Sequence, residues 1–375
     1  MFRLVMIVLL IVVSVRFADA EEPKRKVDLV VTANNAFACD LYRQLAETHD
    51  ADNLFFSPYS ILSALTMTAE GAAGETAVEM GKVLKFSDIA KMHPQIAALN
   101  ASLQETDAQT VVDVERNLAV LLPKLAAVRD EMQALQKQRN YRDAGKLQST
   151  ERVLTKQIEQ EYGRVKRYEV RITNALWGEK SFPFRDEFVK EVGRHYKTGG
   201  LFPVDFRNDH EAVRHRINAW VERHTNNRIT NLLSPGTVDP LTRLVLTNAI
   251  YFQGDWDQPF QENRTRDQDF HLTGGAVKSV PMMSQMSHKA AYYAAFNADG
   301  SLFETPQKIQ RGQAEGLYPA ASGIIMAELL YEGGELSMLL VAPVSPDGLP
   351  QVEALLSAER LQQWAGKLSR RKTHV

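Results

Sequence analysis

Leu244-Val245-Leu246-Thr247-Asn248-Ala249-Ile250-Tyr251-Phe252 is a run in which both alternating sets of side chains are apolar. Leu244, Leu246, Ile250 and Phe252 share one face of an extended chain, and Val245, Ala249 and Tyr251 share the other, because strand side chains alternate with a period of two. A strand apolar on both faces is covered on both, so 241–256 is predicted to be a central strand of a sheet lying between two layers. Asn248 interrupts the pattern. An amide within buried surface is costly unless it is hydrogen-bonded, so Asn248 is expected to be held by polar groups of a neighbouring element.

Working outward, Tyr168 to Trp177 alternates Val170, Ile172 and Leu176 with polar residues and reads as a strand. Leu336 to Val341 is a second buried strand, stopped by Pro343. Ile217, Trp220, Val221 and His224 mark one face of a helix, and residues 34 to 46 a first amphipathic helix. Asn53-Leu54-Phe55-Phe56-Ser57-Pro58 reads as a short apolar strand running into a helix start, with Ser57 as cap and Pro58 in the first turn. Ile61, Ala64, Leu65 and Thr68 follow at helical spacing as the buried face, Gly71 ends that helix, and Thr76-Ala77-Val78-Glu79 is a capping box opening the next. Helices and strands come in clusters rather than in βαβ alternation, which points to α+β.

Residues 104–167 differ from their surroundings. Leu125, Val128, Met132 and Leu135 repeat at three and four, a break falls near Arg139 to Gly145, and Leu147, Leu154, Ile158, Tyr162 and Val165 follow. This spacing predicts an antiparallel helical hairpin with a coiled-coil seam. Its basic excess, 12 Lys and Arg against 7 Asp and Glu from Lys124 to Arg171, leaves two readings, a docking arm for an acidic protein partner or a solvated arm.

The whole chain has 375 residues with 44 basic and 46 acidic side chains; 44% of residues are hydrophobic and 24% charged. That composition excludes a collagen-like or mostly disordered chain, and the balanced charge argues against a general nucleic-acid binder. Arg3, the apolar run Leu4 to Val15 and Ala18-Asp19-Ala20 have the form of a signal peptide with cleavage before Glu21. The expectation is a secreted protein, extracellular or periplasmic, with no membrane association once residues 1–20 are removed. Cys39 is the single cysteine, so no internal disulfide forms, and its place beside Phe37, Leu41 and Leu45 reads as helix packing.

Chemistry-bearing motifs fail on inspection. Lys197-Thr198-Gly199 and Ser369-Arg370-Arg371-Lys372 match two penicillin-binding motifs in reversed order and without Ser-Asp-Asn. His210-Glu211 and His215 are five apart, about 140° around a helix, which is wrong for shared zinc ligation. The expectation is no enzyme, no catalytic residue, no metal and no cofactor. Asn100-Ala101-Ser102 and Asn263-Arg264-Thr265 are glycosylation sequons.

Several of these segments together resemble the serpin family. Asn35-Ala36-Phe37-Ala38 with Asp40-Leu41-Tyr42 is similar to its first helix, and Asn53 to Ile61 to its best-known early motif. Thr173-Asn174-Ala175-Leu176-Trp177 is similar to a strand of the main sheet, and Ile217-Asn218-Ala219-Trp220-Val221-Glu222 with Thr225 to the helix lying across it. Leu244 to Phe252 with Gly254 and Trp256 resembles the signature strand, continued by Thr265, Phe270, Val280-Pro281-Met282-Met283 and Glu335-Leu336-Ser337-Met338. The resemblance covers 34–103, 168–296 and 324–370.

What the resemblance implies is a serpin fold, a mixed main β-sheet with surrounding helices, over 21–375. A hairpin is inserted at 104–167 and a Gly/Ala/Gln-rich loop at 297–323. It implies serine-protease inhibition by a suicide-substrate mechanism: the protease attacks an exposed loop, which inserts as a new strand in the main sheet and drags the acylated protease with it. A serine protease is the implied partner. Ser57, Ser60 and Asn248 match the shutter positions beneath the opening strands, and Trp256 and Thr265 the breach where insertion begins. Family members continue well beyond the point matching 367–375, through a hinge, reactive loop and further strands. No Glu-x-Gly-Thr-x-Ala-type hinge occurs in 1–375. The expectation is a C-terminally incomplete serpin with no reactive centre, impaired inhibition and part of its core open to solvent. The alternative is a non-inhibitory binding scaffold that uses the hairpin for partner contact.

Overall fold

The computed structural model describes residues 28–48, 53–86, 88–103, 108–164, 168–196, 200–303 and 323–374. Residues 1–20, expected to direct export, Val165, the Lys197-Thr198-Gly199 triplet and most of 297–323 lie outside the described residues. Helix α1 (Asp28–Thr48) extends past the expected 34–46 at both ends and buries Val30, Ala33, Phe37 and Tyr42. Residues 53–57 are irregular rather than a strand, and Phe55 is exposed. Apolar content alone makes no strand where no neighbouring chain offers a ladder.

Helix α2 (Pro58–Ala69) begins where Ser57 and Pro58 dictate, with the Ser57 hydroxyl accepting the Ser60 amide at 3.3 Å. Its buried face matches the expected one only at Ala64: Tyr59, Leu62, Ser63, Thr66 and Met67 are also buried, whereas Ile61, Leu65 and Thr68 are half-buried. The helix is enclosed around most of its circumference, so serines and threonines stand inside, where apolar periodicity cannot rank the faces. Helix α3 (Gly74–Val83) starts two residues ahead of Thr76 and has Ala73 at its cap, so the expected capping box does not form. Helix α4 (Ile89–Leu103) follows.

Helices α5 (Ala108–Lys137) and α6 (Tyr141–Tyr162) form a hairpin that is a compact unit of its own. The break is shorter than expected, three residues, because Arg139 takes a left-handed φ of 57° and the Asn140 side chain caps α6 by accepting the Asp143 amide. Leu125 and Ile158 are buried, and Val128, Met132, Leu135, Leu147, Leu154 and Tyr162 half-buried, so the heptad-like positions are those withdrawn from water. Arg129 and Glu151 pair across the two helices at 2.8 Å.

In the rest of the chain, β1 (Tyr168–Glu179), β2 (Leu201–Val204) and β3 (Leu244–Gly254) form a sheet ordered β2-β1-β3, with β1 and β2 parallel. Helix α7 (Asp186–His195) connects β1 to β2, and α8 (Phe206–His224) covers one face of the sheet. Trp177 lies at that interface, 4.9 Å from the Phe202 ring and 5.5 Å from Trp220, above Ile217, Val221 and Ala249. Asn218 clasps the chain beyond the helix, donating to Leu233 O at 3.0 Å and accepting from Leu233 N at 2.8 Å.

One expectation is corrected here. Strand β3 is at the end of the strand order, not in the centre, and only Thr247 and Ala249 along it are buried. Side-chain alternation reports what lies above and below a strand; it carries no information about whether a second strand lies alongside it.

A two-stranded ribbon, β4 (Arg266–His271) and β5 (Val277–Met282), leads to an antiparallel four-stranded sheet. That sheet comprises β6 (Met286–Phe296), β7 (Ile324–Leu330), β8 (Ser337–Pro343) and β9 (Ser369–His374) in the order β8-β7-β6-β9. Helices α9 (Leu349–Leu355) and α10 (Ala358–Ala365), with Tyr42 of α1, pack on its Phe296, Ile324, Met326 and Val341. Trp364 anchors this core, 1% exposed, 5.3 Å from the Phe296 ring and donating its indole N–H to Gly300 O at 3.0 Å. Trp364→Ala is expected to cost about 3–5 kcal/mol of stability, measured by chemical denaturation. A cost below 1 kcal/mol would remove Trp364 from the core.

Candidate functional site

Asn248 lies midway along β3, and its side-chain N–H groups point at α2 and β1. They donate to Ser60 O at 2.9 Å, to the Ser60 hydroxyl and to Asn174 Oδ1. Asn174 in turn donates to the Ser63 hydroxyl at 3.1 Å. Ser60 and Ser63 are fully buried, three residues apart and therefore on one face of α2; Asn174 is 5% exposed. Two asparagines and two serines thus form one connected polar line through an otherwise apolar interface. Removing any member leaves buried partners unsatisfied, which costs more than the bond itself contributes.

On the opposite face of β3 a second tie binds the same two strands. Thr247 Oγ1 accepts the Trp177 indole N–H at 3.0 Å and donates to Ala175 O at 3.3 Å. All three residues are buried. Side-chain bonds on both faces hold β3 against β1.

Of the residues singled out by sequence, the structure brings Ser60 and Asn248 together. Ser57 caps α2 through the Ser60 amide and is not among the hydrogen-bond partners of Asn248, which are Ser60 and Asn174. Trp256 lies just beyond β3, in an isolated bridge with Tyr331 that stacks the two rings at 4.4 Å and 12°; Phe260 meets it edge-on at 6.4 Å and Phe252 meets Tyr331 at 4.9 Å. Thr265 closes a 3-10 turn ahead of β4, its backbone N–H donating to Glu262 O at 3.0 Å. Asn174 and Ser63 were missed. The signal was there: Asn174 interrupts the apolar run of β1 as Asn248 interrupts that of β3, and Ser63 repeats Ser60 at helical spacing.

The other candidates are occupied structurally. Glu211 and Arg214 pair at 2.9 Å, and the Arg214 guanidinium also donates to Leu233 O, so the His210-Glu211 segment is engaged in anchoring α8. No group of three potential metal-ligating residues occurs among the described residues. Of the sequons, Asn100 accepts the Tyr59 hydroxyl at 2.8 Å, whereas Asn263 is exposed. No described helix is long and apolar enough to cross a membrane.

A family profile described as Serpin (serine protease inhibitor) matches residues 32–122 and 125–375. The chain belongs to the serpin family. Serpin B4 of Homo sapiens is 31% identical over 343 residues, spanning 92% of this chain and 70% of its own. Leukocyte elastase inhibitor of Bos taurus is 31% identical over 336 residues, spanning 88% and 67%. Among solved structures, uncleaved ovalbumin shares the fold with a TM-score of 0.64 at 23% identity, over 92% of this chain and 71% of that one. Ovalbumin of the emu, Dromaius novaehollandiae, gives 0.62 at 26% identity, over 92% and 72%.

Two outcomes follow for this serpin. Asn248→Ala is expected to destabilise it by about 1–3 kcal/mol in chemical denaturation, because Ser60 and Asn174 lose their donor; no measurable change would contradict the network. Burial pushes the Cys39 thiol up to about 11. Cys39 is therefore expected to resist a thiol reagent at pH 8 in the native state and react at once in denaturant. Fast native labelling would place it at the surface.

Proposed function

We propose that this serpin is a serine-protease inhibitor whose body works by accepting an additional strand along the outer edge of β3. The observation that supports the reading is that β3 has β1 on one side and no described strand on the other. An unpaired strand edge is a row of donors and acceptors ready for strand addition. In this reading Ser60 and Asn248 act as the shutter: they hold β3 to β1 and α2, so the edge stays in register while another strand docks. Trp256 acts at the breach, where the edge begins, with its stack on Tyr331 fixing the end of the strand. Ser57 contributes through the α2 cap, and Thr265 through the turn entering β4.

The bait is a separate matter. Residues 1–375 contain no recognisable hinge, so acting alone they are impaired inhibitors, and trapping needs a loop supplied from outside these residues. Secretion directed by 1–20 places the protein among extracellular or periplasmic serine proteases. The name of the leukocyte elastase inhibitor among its relatives supports that class of target.

The test combines a strand-forming peptide of alternating threonine and alanine with a panel of serine proteases. Residues 21–375 are expected to form no SDS-stable protease complex, while saturating peptide raises the thermal midpoint, as any ligand selective for the folded state does. An SDS-stable complex without added loop, or a midpoint that peptide leaves unchanged, would overturn the proposal.

A second reading, that the hairpin of α5 and α6 is a contact surface for a protein partner, is favoured by its exposed Val112, Val120, Leu122 and Val153 beside a basic excess. Replacing 108–162 by a short linker would then abolish partner capture while the remaining body unfolds at the same denaturant concentration. Capture that survives the deletion would exclude it.

A further inference from the structure

We infer that the cavity between the end of α2, helix α3 and the start of α4 binds a small amphiphilic monocation, an aryl- or alkylammonium, with Glu70 as its counter-charge. The inference is independent of strand insertion. The cavity is about 430 Å³, at the small end of ligand sites and suited to a single-ring molecule. Ala69, Ala72, Ala77, Phe86 and Ile89 give it apolar walls, and Glu70 is the one charged residue among those lining it. No lysine or arginine lines the cavity to neutralise that carboxylate.

The Glu70 carboxylate is positioned from behind. Its Oε2 lies 2.7 Å from His93 Nε2, and His93 Nδ1 lies 3.0 Å from the Tyr196 hydroxyl. An ionised carboxylate only accepts, so Nε2 carries the proton and donates, and Nδ1 of the neutral ring accepts from Tyr196. His93 is 3% exposed, and burial lowers its pKa below the ordinary 6.5, so at neutral pH it orients Glu70 without cancelling its charge. Oε1 has no protein partner among the described residues, and the Glu70 side chain is 21% exposed, which leaves that oxygen available to a ligand. Glu70 also stands at the C-terminal end of α2, where the helix dipole favours a cation. Phe86 is the aromatic residue among those lining the cavity, a ring of the kind that aryl and ammonium groups pack against.

The same relay makes the site sensitive to acid. The groups facing His93 are Glu70 at the C-cap of α2 and, from α7 and the residue after it, Glu191, His195 and Tyr196, with Tyr59 of α2 coupled to Tyr196. Burial raises both tyrosines, which stay protonated. The His195 ring stacks on His93 at 5.3 Å, and its protonation opposes a charge there. When His93 does take up a proton it pairs with Glu70 and competes with the bound cation. Affinity is therefore still full at the ordinary histidine pKa and is lost only as pH falls through the lower value that burial gives His93.

The test is calorimetric titration of residues 21–375 with 2-phenylethylammonium, with 2-phenylethanol as the uncharged probe. At pH 7.5 the ammonium is expected to bind about tenfold more tightly than the alcohol, Glu70→Gln to abolish that preference, and affinity to fall on acidification only below the ordinary histidine pKa. Ala77→Trp, which fills the cavity and leaves the Glu70–His93 pair in place, is expected to abolish binding, and this holds the proposal testable if the Glu70 variant fails to fold. No binding, equal binding of the two probes, or wild-type binding by the Ala77 variant would overturn it.

Discussion

One side-chain amide ties three elements together. Asn248 of β3, itself half-buried, bonds at once to α2 through the buried Ser60 and to β1 through the buried Asn174. Because each group is worth more as an unsatisfied loss than as a bond gained, the line Ser63–Asn174–Asn248–Ser60 fixes register rather than merely adding stability. A one-residue slip of β3 would move Asn248 to the α8 face, among Ile217 and Val221, and bring Thr247 to the α2 side. Thr247 on one face and Asn248 on the other therefore specify the same pairing twice.

This double tie explains how an edge strand keeps its position. The β2-β1-β3 sheet leaves one edge of β3 without a described neighbour, yet β3 is bound to β1 by Trp177–Thr247 and Asn174–Asn248 as well as by its ladder. A rigid, registered edge is the requirement for strand addition, since main-chain bonds supply affinity only if the receiving strand stays in place. The family to which the chain belongs is described as serine protease inhibitors, and in the function proposed above the strand edge is the part of this chain that such an act would use.

Much of this was legible before any coordinates. The amide in an apolar run identified Asn248 as a group in need of partners, and helical spacing placed the seam of α5 and α6 through Leu125 and Ile158. Ser57 and Pro58 located the start of α2. What could not be read has physical causes. Lateral pairing leaves no trace in side-chain alternation, so the edge position of β3 was invisible. The enclosure of α2 puts Ser60, Ser63 and Thr66 in the core, where hydropathy places them outside. The Glu70–His93–Tyr196 relay joins residues 23 and 103 positions apart, and no local pattern announces such a contact.

Amide hydrogen exchange along Leu244 to Ile250 measures the central claim directly, because each backbone N–H of a strand points to one edge or the other. An edge strand tied to β1 alone predicts slow and fast amides in strict alternation. Uniformly slow exchange would mean that both edges are paired, and uniformly fast exchange that β3 is not held to β1; either result would contradict the account.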